Sequence, residues 1–599
     1  MNHLYQQWRS QPPADHPFYV SPDCSLTYGE MEVRMEATFR HWQPLGLHAG
    51  DTLFLAVSDE LLNLLSVLTA LRYGLTLMMW NPHAPLWETE KVLDLAQPAC
   101  LCLDESLLQS WNLAQRPLPA RGMVVVDDQG MTVQVTAQAA SLPASTQEES
   151  PAYVLFTSGT TDLPKGVTIS GPALAAHLHT LSRHFGYSAT SRLLNPLPWH
   201  HADGLVGGPL LAWYNGATLV RPHRFTPHDV VHLLERVAKE RITHLIGVPT
   251  LLALMARLGT DHRHAFKTPW FEVMVSTGGK LEENLWRTFE EQFQVPVANI
   301  YGLTETVVGG IFCGPNGASR RVGSLGKPVD CTVEIRSPEG EVLGENQMGE
   351  LWITGANLMS GYLNQPEATR TVMEAGWFRS GDLISRDEEG FYHFHGRQKN
   401  VLMRGGFPVF PEQIAEVLNL HPQVAEAVVI GRPDPIWEEV PVAFVVLHPG
   451  AALTGKELAA FCRTRLSEYK IPKTFYWVDH LPKGPAGKIL LAQVRSWLQP
   501  VEKTVVSSAL NIPQQVAVLA SGCFNVSVTT LNDHSTPGNT TGWDSLSFME
   551  LVVQLEEHFN MILAVQDILK MESLGAIQRL VIEYLQQRED PEEQALDLS

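Results

Sequence analysis

The sequence predicts a multidomain α/β protein. A large N-terminal unit of layered α/β subdomains spans 1–395 and a small α+β unit spans 396–499. A linker at 500–510, an all-α four-helix domain at 511–588 and an acidic tail at 589–599 follow. Three observations predict this division. Up to about residue 390, helical patterns alternate with short apolar runs such as "MVVVDD", "ATLVRP" and "FEVMVSTGG", the rhythm of α/β layers with largely parallel sheets. At "GRQKNVLMRGGFPVFPEQIAEVL", Gly396 to Leu418, glycines and prolines punctuate the chain before a new helix, as at a hinge and boundary. Beyond "LQPVEKTVVSSALNIPQQ", four helical patterns with no clear strand remain.

Size and composition agree with several cores. The chain has 599 residues, 44% hydrophobic and 18% charged, too many for one ordinary core and apolar enough for three or four. The most apolar stretch, "LLNLLSVLTALRYGLTLMMW", is of membrane-spanning length, but Arg72, Tyr73 and Gly74 interrupt it in the pattern of a buried helix, turn and strand. No membrane insertion is expected. "MNHLYQQWRSQPPADHPF" has neither the basic start nor the apolar run of a secretory signal, so a cytoplasmic location is expected. Seven scattered cysteines give no disulfide framework, and Cys100 and Cys102 lack companions at zinc-binding spacing. A net charge of −21 argues against nucleic acid as a partner. Val501 to Ser599 holds 14 acidic residues against 4 Lys and Arg, a net of −10, which marks the helical unit as a separate acidic module.

Chemistry first becomes legible at "YVLFTSGTTDLPKGVTIS", Tyr153 to Ser170: an apolar strand, a loop of glycines and hydroxyl residues, Lys165, then another β-like run. Backbone N–H groups and the hydroxyls of Thr157, Ser158, Thr160 and Thr161 suit phosphate oxygens, Gly159 permits close approach, and Lys165 adds positive charge. It is not a Walker A loop, because the lysine precedes the second glycine and no helix is signalled directly after it.

"FTSGTTDLPKG" resembles the signature loop of the adenylate-forming superfamily, which includes acyl-CoA synthetases, luciferases and the adenylation domains of nonribosomal peptide synthetases. Four more motifs follow in that family's order. "YGLTET", Tyr301 to Thr306, resembles its next nucleotide motif and "GWFRSGDL", Gly376 to Leu383, its ribose motif. "GRQKN" resembles its hinge and "LPKGPAGKI", Leu481 to Ile489, its C-terminal lysine loop. The resemblance covers about 1–499 and implies an adenylate-forming domain that binds ATP and an acid, followed by a mobile subdomain bearing the catalytic lysine.

It also implies roles. The loop from Thr157 to Lys165 would close over the β and γ phosphates, Glu305 would hold Mg²⁺, Thr304 would contact the α-phosphate and Tyr301 would lie beside adenine. Asp382 would take the ribose hydroxyls with Arg397 in support. Lys488 would bridge the attacking carboxylate and the α-phosphate, and Lys399 would be the hinge. Such chemistry is mainly positioning and charge neutralisation. Two positions depart from the family. Asp162 replaces a glycine and puts negative charge in a polyphosphate loop, weakening ATP binding or altering closure. Lys280, after "STGG", either meets a polar substrate group or points to solvent, and solvent is the favoured expectation.

"NPLPWHHADGLVGGPLL", Asn195 to Leu211, resembles the acyl-CoA synthetase form of this segment, with His201 between acyl pocket and thiol tunnel. The Phe-Asp pair that binds the ammonium of α-amino acids is absent, and Asp203 sits at another offset. The acid is therefore expected to lack a free α-amino group. Trp199, His200, Gly309 and Gly310 suggest room for a bulky aryl or acyl chain.

"TTGWDSLSFMEL", Thr540 to Leu551, reads as the start of an amphipathic helix that Asp544 can cap. It resembles the attachment motif of acyl and peptidyl carrier proteins, which implies 4′-phosphopantetheine on Ser545 and a carrier domain over about 511–588. The combined expectation is a ligase that adenylates a carboxylic acid, transfers it to its own pantetheine thiol and hands it to a downstream biosynthetic enzyme, after modification by a phosphopantetheinyl transferase. Two alternatives stay open: an acyl-CoA synthetase using free CoA beside an independently loaded carrier, and a catalytically idle docking scaffold.

Overall fold

The computed structural model describes residues 12–111, 121–127, 130–135, 151–157, 164–222, 229–404, 407–434, 438–466, 470–472, 474–484, 488–498, 511–524, 526–540, 543, 545–559, 561, 563–568 and 570–589. Two mixed sheets organise the N-terminal unit. In the eight-stranded sheet, Pro151–Thr157, Thr76–Met79, Thr52–Ala56, Cys100–Asp104 and Gly122–Asp127 run parallel, with antiparallel strands Lys165–Ser170 and Gly130–Val135 flanking them. Gly361–Tyr362 pairs with the outer side of Lys165–Ser170. The parallel strands are continuous apolar runs because both faces are covered. Leu53 and Leu55 enter the main core while Phe54 and Ala56 enter a second one behind it, the two-residue alternation of a strand.

The nine-stranded sheet is parallel from Pro17–Val20 through Thr218–Val220, Arg192–Leu194, His244–Gly247 and Val273–Ser276 to Val297–Tyr301. The main core joins both sheets: Leu55 and Leu77 share it with Leu193, Leu219 and Leu245, and with Met35, Leu64, Leu68, Leu174 and Leu178 from helices. The apolar 20-mer is indeed helix, turn and strand. Asp59 caps the helix Glu60–Arg72 by accepting from Leu62 N–H at 2.7 Å, Tyr73 and Gly74 turn the chain, and Thr76–Met79 follows. Arg72 is buried yet paired with Glu32 and Glu36 on the neighbouring helix Tyr28–Trp42. Among the described residues no helix is long and apolar enough to cross a membrane.

One region departs from the α/β rhythm. Residues 331–397 form a five-stranded antiparallel sheet of Cys331–Arg336, Gly349–Gly355, Met373–Glu374, Trp377–Arg386 and Tyr392–Arg397. Its strands mix half-buried and buried positions, so no long apolar run announced them.

In the small unit a sheet centred on Val424–Asp434 and Glu438–Leu447 is covered by helices Pro411–Asn419 and Gly455–Arg463 on one side and by Leu491–Ser496 on the other. Beyond it, helices Ile512–Phe524, Ser545–His558, Val565–Ile568 and Leu574–Glu589 enclose their own core, including Phe524, Phe548, Leu551, Leu555 and Ile577. The fold is thus multidomain α/β with a helical C-terminal unit, as the sequence predicts.

Candidate active site

Three loops meet where parallel strands end. Arg192–Leu194 leads into 195–203, Val273–Ser276 into Thr277 to Lys280, and Val297–Tyr301 into the 3-10 turn Thr304–Thr306. The carboxyl ends of parallel strands are where open α/β sheets take ligands.

Asp382 is the best-defined anchor. Its strand pairs with Tyr392–Arg397 so that Asp382 faces Arg397, whose Nε lies 3.0 Å from Oδ1. Tyr301 donates its hydroxyl to Oδ2 at 2.7 Å. Asp382 is 1% exposed, and desolvation raises its carboxyl above the usual range against the opposing charge of Arg397. The Arg397 contact lacks hydrogen-bond alignment, and among the described residues Oδ1 accepts no hydrogen bond. A buried carboxylate oxygen without a donor fits the vicinal hydroxyls of a ribose. Tyr301, expected to lie beside adenine, spends its hydroxyl on fixing Asp382, and burial pushes that phenol well above its ordinary value.

Lys488 brings the small unit to the same place. Gly484 N–H donates to its carbonyl at 2.8 Å and Lys483 bridges to Ile489, so a turn presents the side chain; residues 485–487 lie outside the described set. Desolvation first, then Arg397, draw its amine below the ordinary lysine value, while Asp203, Asp382 and Glu305 oppose the shift. As a residue Lys488 is exposed, so solvent screens part of this effect, but the like charge of Arg397 acts in the same direction. His201 stands at the N-terminal boundary of the short helix Ala202–Leu205, its side chain making no capping bond. Desolvation, then Lys488, lower its imidazole to about 4, so it is neutral at pH 7, and its Nε2 has no hydrogen-bond partner among the described residues.

The phosphate side is partly described. Thr157 ends its strand opposite Lys165, whereas Ser158, Gly159, Thr160, Thr161 and Asp162 lie outside the described residues. Lys165 places its Nζ 4.7 Å above the ring of Tyr362, and the Tyr362 hydroxyl donates to Glu305 Oε1 at 2.8 Å. Met359 N–H donates to the Glu305 carbonyl at 2.8 Å. Val307, fully buried, closes the turn at φ 67° and ψ −72°, with Val308 N–H on Thr306 C=O at 2.9 Å. A β-branched residue held in this strained γ-turn marks a constrained loop beside Thr304 and Glu305. A lone carboxylate suits Mg²⁺, which completes its shell with phosphate and water oxygens. Lys399 sits exposed on the 3-10 turn Gln398–Asn400, its amine lowered by desolvation and then by Arg397.

Lys280 is exposed, as the favoured expectation has it, and there spans the seam between the units, 3.4 Å from Glu282 and 3.8 Å from Glu416 on the helix Pro411–Asn419. One expectation changes: Gly309 and Gly310 do not leave room for a chain. A Cβ on Gly309 would lie 2.5 Å from Ile300 Cγ2, and one on Gly310 would lie 3.1 Å from Cys331 Sγ, so the protein itself uses that space.

Other residues of the site fall outside the quoted motifs. Tyr362 ties Glu305 to Lys165, and no spacing in the sequence announces it, because the tie depends on Gly361–Tyr362 pairing with Lys165–Ser170. Arg221, 4% exposed, donates to the carbonyls of Asn195 and Leu197, pairs with Glu60 at 2.5 Å and lies 4.9 Å over Trp199, bolting down the loop that carries His201. Tyr362→Phe keeps the ring and removes the hydrogen bond. It is expected to raise the Mg²⁺ concentration for half-maximal pyrophosphate exchange by about 10-fold, with the KM for acid unchanged. A Mg²⁺ titration at saturating acid measures this.

In the C-terminal unit, Ser545 opens the 14-residue helix Ser545–His558, where the backbone N–H groups and helix dipole suit a phosphodiester. Trp543, 4% exposed, stacks 4.5 Å from Phe524 and 6.4 Å from Phe548 and fixes the chain's approach to that helix. Gly542 and Asp544 lie outside the described residues.

Comparison with known proteins gives the family. Residues 5–363 match the AMP-binding enzyme family, 413–488 its C-terminal domain, and 526–581 the phosphopantetheine attachment site family. The sulfoacetate–CoA ligase of Cupriavidus necator is 31% identical over 496 residues, covering 79% of this chain and 93% of the ligase. The indoleacetate–CoA ligase of Aromatoleum aromaticum is 33% identical over 353 residues, 58% of this chain and 67% of that protein. Among solved structures, ATP-bound MatB from Rhodopseudomonas palustris superposes with a TM-score of 0.75 at 25% identity, over 84% of this chain and 99% of that one.

Proposed function

Because this chain belongs to the AMP-binding enzyme family and also carries a phosphopantetheine attachment domain, we propose that it loads itself: it adenylates a carboxylic acid and transfers the acyl group to the thiol on its own Ser545. The family makes it an ATP-dependent acid–thiol ligase that passes through an acyl adenylate. The finer reading rests on one observation, the presence in a single chain of a lysine converging with Asp203, Asp382 and Glu305 and of an attachment domain at 526–581. We divide the chain as 1–395 for ATP and acid, 396–499 for the lysine-bearing subdomain, 500–510 as linker, 511–588 as carrier and 589–599 as tail.

Each residue then has a task. Lys488 draws the acid carboxylate and the α-phosphate together and offsets the charge that develops as pyrophosphate leaves. Asp382, held by Tyr301 and Arg397, accepts from the ribose hydroxyls. Thr304 contacts the α-phosphate, while Thr157, Lys165 and the loop between them hold the outer phosphates. Glu305, oriented by Tyr362, would hold Mg²⁺, which supplies charge neutralisation at the phosphates. Neutral His201 lines the path by which a thiol reaches the acyl carbon, and Lys399 is the pivot between the two half-reactions. Phosphopantetheine supplies the thiol, and the chain's part is to tether it, which makes the second step intramolecular at roughly millimolar effective concentration. The acid is an aryl or acyl carboxylic acid without a free α-amino group, since the Phe-Asp pair is missing. The chain's partners are a phosphopantetheinyl transferase, which places the arm on Ser545 before the reaction, and an acyl-accepting biosynthetic enzyme after it.

A second reading draws on the relatives, which are named CoA ligases: free CoA is the acceptor and the carrier is loaded elsewhere. Intact-protein mass spectrometry separates the two. Full-length, pantetheine-bearing protein given ATP, Mg²⁺ and a panel of acids is expected to gain one acyl mass without CoA. Acyl-CoA formed from added CoA with no acyl mass on the chain would favour the second reading.

A further inference from the structure

One carboxylate near Lys488 has no part in the scheme above. Asp203 lies in the first turn of the short helix Ala202–Leu205, and its position is tightly built: Asn195, fully buried, donates its Nδ2 to the Asp203 carbonyl at 2.9 Å. The Thr277 hydroxyl donates to Asp203 Oδ1 at 2.6 Å. Oδ2 lies beside Gly278, where a Cβ would stand 3.2 Å away, and the glycine's φ of +76° is one that side chains rarely adopt. Among the described residues no Lys, Arg or His nitrogen reaches ion-pair distance of this carboxylate, and no side chain donates to Oδ2.

The surroundings are apolar. Asp203 and Thr277 line a narrow, partly open cleft with Phe185, Leu211, Ile246, Val275 and Ile300. Desolvation raises the Asp203 carboxyl, and the buried Tyr153 hydroxyl, which feels the charge of Asp203, has no hydrogen-bond partner among the described residues. A half-buried carboxylate bonded by Thr277 through Oδ1 alone, with Oδ2 facing apolar walls, gains from a donor that enters and satisfies the second oxygen. Lys488 acts on Asp203 electrostatically but stays beyond ion-pair distance, which places Asp203 near the carboxyl end of an acid held by Lys488.

We propose that Asp203 is a specificity-determining residue that accepts a hydrogen bond from a hydroxyl or amino group carried by the acid close to its carboxyl group, as in a β-hydroxy acid, a β-amino acid or an ortho-substituted benzoate. The donor relieves the repulsion between two carboxylates in one small cavity, and an acid without it leaves Oδ2 unpaired. Selectivity then follows from the unpaired group: a site built to bond a polar hydrogen rejects the analogue lacking it far more strongly than an apolar pocket rejects a methylene. This inference rests on the adenylation reading and deepens it by naming the substrate class.

The test uses the full chain and acid-dependent pyrophosphate exchange with matched pairs: 2-hydroxybenzoate against benzoate, and 3-hydroxy-, 3-amino- and 2-aminobutanoate against butanoate. The wild type is expected to favour at least one donor-bearing acid over its parent by about 100-fold or more in kcat/KM. Asp203→Asn, which keeps the shape, should shrink that ratio at least about 10-fold, and Asp203→Leu should abolish or invert it. The KM for ATP reports on folding. A wild type that prefers the parent acids or shows no preference, or a ratio unchanged in the variants, overturns the proposal while leaving the ligase intact. No exchange with any acid sinks the ligase reading itself. Preference for 2-aminobutanoate through Asp203 supports the role of Asp203 and overturns the exclusion of α-amino acids.

Discussion

Lys488→Ala is expected to lower acid-dependent pyrophosphate exchange by about 100- to 1,000-fold, the loss typical of removing one preorganised group that meets developing charge. The effect should fall on kcat more than on the KM for ATP, because the amine meets charge that grows as pyrophosphate leaves and the nucleotide keeps Asp382, Tyr301 and Arg397. Folding should survive, since Lys488 is exposed and lies on a turn outside the cores of the small unit. The pH profile supplies a second readout. The ammonium is the working form, and desolvation together with Arg397 lowers its pKa, so the charged form is lost at a lower pH than for a free lysine. The alkaline limb of wild-type exchange should therefore fall before the ordinary lysine range, and that limb should be absent from the residual activity of Lys488→Ala. Exchange within a few-fold of wild type would remove Lys488 from the mechanism.

Ser545→Ala is expected to abolish acyl loading. The variant should gain no pantetheine mass from a phosphopantetheinyl transferase and no acyl mass from ATP and acid, while pyrophosphate exchange continues, because Ser545 belongs to a unit with its own core, apart from the cluster around Asp382. A free thiol acceptor added in solution should need to approach roughly millimolar concentration to match the tethered arm. Acyl mass on the Ser545→Ala protein, at any residue, would end the self-loading account. Leu551→Ala separates attachment from folding: it removes a fully buried side chain of the carrier core at a cost of about 2–5 kcal/mol, which melts that unit and leaves exchange in place.

The division of labour between the two units explains the seam. Lys280 reaches Glu282 and Glu416, and Asn284 donates to the Asn419 carbonyl at 3.2 Å, so the large unit grips the helix Pro411–Asn419 while Lys488 is in place. Glu282 has its carboxyl raised by desolvation, with Glu416 and Glu426 adding to the shift and Lys280 opposing it. A grip made of a few polar contacts can be released, as the proposed rotation about Lys399 between half-reactions would require.

Much of this was written in the sequence. Local patterns decided the buried helix Glu60–Arg72, the strands around the phosphate loop and the helix that Ser545 opens, because capping, apolar runs and turn residues act over a few positions. Five motifs, each a short string, marked Lys165, Tyr301, Glu305, Asp382, Arg397 and Lys488. Only the tertiary structure decided what those residues touch. Tyr301 meets Asp382 across 81 positions, Tyr362 meets Glu305 across 57, and Lys280 crosses to Glu416 in another unit. It also decided that Gly309 and Gly310 serve packing, and that Asp203 lines an apolar cleft where, among the described residues, Thr277 is its one side-chain donor. The physical reason is range. Propensity and periodicity are set by neighbours in the chain, whereas burial, hydrogen-bond satisfaction and charge interaction depend on which distant strands are brought side by side.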